Sequence, residues 1–110
     1  MGLISVAGFK PKPGKEAELM AVIEDRIPLL RRLGLATSRE PVLMRSRDGT
    51  IIQVSEWTSE EAIAKAHETP EVLELWGRFD ACCTYIKLEA LPESRDDFAT
   101  FKAVEQSDLR

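Results

Sequence analysis

Two β-forming runs, residues 40–47 and 50–57, meet at Asp48-Gly49. Asp-Gly between hydrophobic runs is a strong hairpin signal, because such turns need φ above zero. A two-residue loop sets the register: Arg47 faces Thr50, Arg45 faces Ile52, Leu43 faces Val54 and Val42 faces Ser55. One face then carries Leu43, Arg45, Ile52, Val54 and Glu56. The other carries Val42, Met44, Ile51, Gln53, Ser55 and Trp57. Neither face is plainly polar, whereas a small antiparallel sheet normally leaves one face to water. The hairpin therefore needs a cover on each side. Helices supply one, and a partner chain is the economical source of the other. Arg45 and Glu56 share a face too far apart to touch, so an ion pair across that interface is expected of them.

The flanking segments read as covers and sheet partners. Residues 3–9 (LISVAGF) form a short apolar strand, ended by the KPKPG turn. Residues 15–33 are helical in period, with Leu19, Ile23, Ile27 and Leu30 on one side. Pro28 should kink or restart that helix, and Gly34 caps it. Thr58 opens the next helix, with Glu61 three residues on as a capping box. Thr69-Pro70 starts a third, with Val72, Leu75, Trp76 and Phe79 as its stripe. Residues 84–91 alternate as a last strand that Pro92 ends. The order is β-α-β-β-α-β, an α+β ferredoxin-like βαββαβ pattern over residues 1–92. Residues 93–110 form a charged tail, with Phe98, Phe101 and Val104 spaced as for a short helix or an arm onto a partner.

Length and charge narrow the function. One hundred and ten residues make one domain, 44% hydrophobic and 31% charged. Net charge is −4 and no basic stripe is visible, so nucleic acid is not an expected partner. No apolar run is long enough to span a membrane, and the N-terminus lacks a signal-peptide n-region, so a cytoplasmic protein is expected. Cys82 and Cys83 are adjacent on a predicted helix and read as small core residues. With one histidine and no CxxC, neither a metal site nor a cofactor is implied.

The run EWTSEEAIAKAHETPEV, then LWGRF and CTYIKL, together with the opening PGKEAEL and Pro-Leu-Leu-Arg segments, resembles the antibiotic biosynthesis monooxygenase family. The resemblance covers roughly residues 3–91. It implies a homodimeric α+β barrel in which two sheets pack face to face with helices outside. It also implies an oxidoreductase, some members being cofactor-free oxygenases of quinol-like or anthrone-like aromatics. Others degrade haem with an Asn, Trp, His arrangement. This chain has no asparagine, which argues against that branch. Trp57 and His67 match the family's strand-end Trp and helix His.

His67 is the one side chain with proton-transfer chemistry near neutral pH. Four residues after Ile63, it should share the inward side of its helix. There it is either a catalytic base toward a bound phenol or a buried helix-end histidine bonded to the backbone near Thr69-Pro70. Trp57, Trp76 and Phe79 either wall an aromatic pocket or pack as core. Gln53 and Ser55 beside Trp57 suggest a cavity there. Tyr85 is a candidate hydrogen-bond donor to a ligand. Three functions remain open: cofactor-independent oxidation of a small aromatic or polyketide-like compound, non-catalytic small-molecule binding or a stress-associated role, and a purely structural dimer.

Overall fold

The computed structural model describes residues 2–105. Residue 1 and the last five positions of the tail, 106–110, lie outside the described residues. The fold is α+β: one five-stranded antiparallel sheet and three α-helices. The elements are β1 (Leu3–Pro11), α1 (Glu16–Arg32), β2 (Val42–Arg45), β3 (Ile51–Trp57), α2 (Glu60–Ala66), α3 (Pro70–Cys82), β4 (Cys83–Ile86) and β5 (Lys102–Ala103). The strands lie in the order β4-β1-β3-β2-β5, each antiparallel to its neighbour. Among the described residues no helix is long and apolar enough to cross a membrane.

The hairpin register differs by one residue from the expected one. Arg45 pairs with Ile51, Met44 with Ile52, Leu43 with Gln53 and Val42 with Val54. The cause is the turn. Gly49 N–H donates to Ser46 O at 3.0 Å and Ser46 N–H donates to Thr50 O at 2.8 Å, so residues 47–49 form a three-residue loop. Of these three residues only Gly49 has positive φ, at 90°. Asp48 instead turns its carboxylate onto the Thr50 N–H at 3.0 Å. A tight turn followed by a left-handed glycine is the next commonest hairpin closure after the two-residue one.

A slip of one residue exchanges the faces of β2. Leu43 and Arg45 now point with Ile51, Gln53, Ser55 and Trp57 toward the helices. Val42 and Met44 point with Ile52, Val54 and Glu56 to the other side. Arg45 and Glu56, expected to share a face and pair across an interface, lie on opposite faces and each has a partner within the chain. Arg45 pairs with Glu16 of α1, and Glu56 accepts from Thr37 Oγ1 at 2.8 Å and Arg39 Nε at 3.1 Å.

The core lies between the sheet and α1 and α3. Phe9, Leu19, Ile23, Ile51, Leu75, Phe79 and Cys82 form its centre. A second cluster joins Trp57 to Leu30, Leu35, Ala62, Ala66 and Val72 under α2. Helix α1 runs unbroken through the exposed Pro28, and Gly34 takes a φ of 76° just past its end. Ser59, not Thr58, caps α2, accepting from the Ala62 N–H at 3.1 Å. Pro70 opens α3 as expected. Cys82 ends α3 and Cys83 begins β4, so the pair is not within one helix. Both are free and buried.

β4 ends at Ile86, five residues before the expected stop. The chain then leaves the sheet through two short 3-10 turns, Leu88–Ala90 and Pro92–Arg95, and reaches β2 at the opposite edge as β5. The segment crosses beside the hairpin turn. Glu93, 1% exposed, accepts from Ser46 Oγ at 2.7 Å and from the Arg47 N–H at 2.8 Å. Ser46 shares the helix-free face, where Ile52 and Thr50 are also fully buried. The far half of that face stays open, with Ile4, Val6 and Val42 at 53%, 41% and 55% exposure. The described part of the tail thus docks on its own sheet, while Phe98 is exposed.

Burial pushes the Glu93 carboxyl up, but the hydrogen bonds from Ser46 and Arg47 outweigh it and leave it below the usual glutamate value. A lowered folded value means that the clasp stabilises above the unfolded pKa of about 4.3 and is lost as pH falls through the lower, folded one. Glu93→Gln is therefore expected to melt earlier than wild type at neutral pH, the gap narrowing below about pH 4. Thermal melts across that range check it; a gap that widens on acidification would contradict the clasp.

Candidate functional site

A cavity of about 380 Å³ opens between the sheet, α1 and α3. Ala7 and Phe9 of β1, Arg26 of α1, Trp76, Phe79 and Asp80 of α3, and Tyr85 of β4 line it. Trp76, Phe79 and Asp80 reach it together because positions three and four apart share a helix face. Three of the four aromatic rings hold one another. Phe9 and Phe79 stack with centroids 4.6 Å apart and planes 12° apart, and Tyr85 tilts onto both at 5.9 and 6.4 Å. Of the residues expected to bind a ligand, Trp76, Phe79 and Tyr85 meet here.

Gln53 and Trp57 stand behind the cavity and touch it through Arg26. The Arg26 Nη1 donates to Gln53 Oε1 at 2.8 Å and to Ser55 Oγ at 3.3 Å. Its guanidinium carbon lies 5.8 Å from the centre of the Trp57 ring. Trp57 itself is 7% exposed, donates from Nε1 to Ser5 Oγ at 3.1 Å, and packs in the α2 cluster. It is a support rather than a wall. Gln53 lines a different hollow, with Leu43 and Val104.

Arg26 is the lining residue that sequence reasoning missed. It is 6% exposed. A signal was present: residues 19, 23, 26 and 30 form one helical stripe, and Arg26 is the one charged member. Burial brings the guanidinium down to about 10, so it stays charged at neutral pH. Partial burial, then Asp80 and Cys83, push the Tyr85 phenol up to about 12, so it remains an O–H donor.

His67 does not reach the cavity. It is exposed, past the last turn of α2, and its Nδ1–H donates to the Ile63 carbonyl at 2.9 Å. Its ring stands edge-on to Trp76 at 4.9 Å and 69°, outside the lining. The inward position expected from Ile63 fails because α2 buries Ala62 and Ala66, not Ile63. Small alanines form the contact stripe, and His67 falls beside it.

Burial raises both cysteine thiols, Cys83 to about 11, which leaves them protonated and poor nucleophiles. Among the described residues no three His, Cys, Asp or Glu side chains gather as a metal site. Compared with protein-family models, with curated proteins and with solved structures, the chain matches none, so the chemistry of the site is read from its own side chains.

Proposed function

We propose that this chain binds a small planar aromatic molecule in the cavity under α1 and α3, as a homodimeric ferredoxin-like α+β barrel. The observation that carries the binding reading is the cavity's aromatic lining of Phe9, Trp76, Phe79 and Tyr85, three of which, Phe9, Phe79 and Tyr85, are held by mutual ring contacts. Pockets of this size with apolar walls and a few polar groups are the usual form of small-molecule sites.

Support for the ferredoxin-like reading comes from topology. β1 and β2 flank β3 in the sheet, and β3 and β4 flank β1. Two interlocked βαβ crossovers produce that order. Support for the dimer comes from the open sheet face, where Ile4, Val6 and Val42 stay exposed opposite the helices. A second copy presenting the same face would cover them. The family resemblance implies the same assembly.

The test is one titration of ring compounds against the intact protein and two variants. Trp76→Ala is expected to weaken binding about tenfold or more, by removing a wall. His67→Ala is expected to change affinity by no more than about twofold and stability by under about 1 kcal/mol, its ring lying outside the cavity. A larger loss from His67→Ala than from Trp76→Ala would move the site to the outer side of α2.

Cofactor-free oxygenation is the second reading. With His67 outside the cavity, Asp80 is the carboxylate in its lining, and it would take the proton from a bound phenol. Oxygen uptake on adding the bound compound tests it, and none would leave binding alone.

A further inference from the structure

Arg26 carries a charge that no carboxylate among the described residues neutralises. Buried cations are normally paired with a carboxylate, because stripping water from a charge is costly. Among the described residues no carboxylate pairs with this one. Its acceptors, Gln53 Oε1 and Ser55 Oγ, are neutral, and its third contact is the face of Trp57. Both hydrogen bonds fall on Nη1. They fix the guanidinium and leave Nε and Nη2, the side-on fork that matches a carboxylate with two parallel N–H···O bonds.

We propose that Arg26 makes the cavity selective for planar aromatic monocarboxylates, the acid group pairing with its guanidinium and the ring lying among Trp76, Phe79 and Tyr85. This rests on the reading of the cavity as a small-aromatic site and names its ligand class. Arg26 lines the same cavity as those rings, so one rigid molecule can meet both. Tyr85, a protonated phenol at neutral pH, is a second donor in the lining. Asp80 opposes an anion, but its side chain is exposed and water screens it, whereas Arg26 acts from a buried position.

Matched acid and amide probes decide it: benzoate against benzamide, and naphthoate against naphthamide, titrated calorimetrically at neutral pH into the intact protein. Each acid is expected to bind at least about tenfold tighter than its amide, the effect of one charge-assisted contact. In Arg26→Met the ratio is expected to fall to about one. Arg26→Lys, which keeps the charge and loses the fork, should hold an intermediate ratio. Equal binding of acid and amide to wild type would overturn the selectivity and leave the aromatic site standing. A preference that survives in folded Arg26→Met would also overturn it. Binding of neither probe at either size would remove both readings. Should Arg26→Met fail to fold, the wild-type ratio and Arg26→Lys still give the answer.

Discussion

Replacing Phe79 with alanine is expected to cost about 3–5 kcal/mol of folding stability. Phe79 is 1% exposed and stacks on Phe9 across the joint between α3 and the sheet. The loss has two parts, the transfer of a ring and the void left behind. The void cannot close easily, because Phe9 and Ile51 on one side belong to a hydrogen-bonded sheet and Leu19 and Ile23 on the other to α1. For a domain of this size the melting temperature should fall by about 15 °C or more. A loss below about 1 kcal/mol would mean that α3 does not seat on β1 through this ring. The same ring bounds the ligand cavity, so any folded Phe79→Ala should also bind aromatic probes more weakly.

Placing a charge at Val6 should have its effect between chains rather than within one. Val6 sits mid-strand, opposite Val54, on the open face of the sheet. At 41% exposure its replacement by glutamate should change monomer stability by no more than about 1 kcal/mol. In a face-to-face dimer the new carboxylate would be stripped of water against its own copy and near Glu56, which shares that face. A penalty of a few kcal/mol raises the dimer dissociation constant at least about 100-fold. Sedimentation of Val6→Glu beside wild type measures it. Unchanged dimerisation would place the interface elsewhere, and a monomeric wild type at micromolar concentration would remove the face-to-face barrel.

Much of this architecture was legible because local chemistry agreed with the final packing. Pro70 at the start of α3, Gly34 beyond α1 and the apolar stripe of Leu19, Ile23, Ile27 and Leu30 each act within a few residues. The register was not legible, because Asp48-Gly49 suits both a two-residue turn and the three-residue one that forms. Backbone hydrogen bonds at Ser46 and Gly49 decide between them. The end of β4 was hidden because residues 84–91 keep an alternating pattern. Past Ile86 the chain crosses instead to Ser46, a contact distant in sequence. Of the site, the aromatic part could be read from helical spacing on α3. His67 could not be placed, because spacing from Ile63 says nothing about whether Ile63 itself is the buried side of α2. Arg26 shows the converse: a charge within an apolar stripe reads as an interruption until its partners on β3 are known.

The strand order also governs how the chain can assemble. Of the four pairings, only β2 with β3 joins consecutive strands; β1 waits for β3 and β4, and β2 waits for β5. Each waiting pair must close a long loop before any contact repays the lost chain entropy. The hairpin around Gly49 is thus the natural first structure, and the β4 and β5 edges close last. Gly49→Ala, forced against a φ of 90°, should slow refolding. Ile86→Ala, which weakens the late β4 contact, should instead quicken unfolding and leave refolding nearly unchanged. Chevron plots of the two variants separate these effects, and if both fell on the same limb, that order of closure would be wrong.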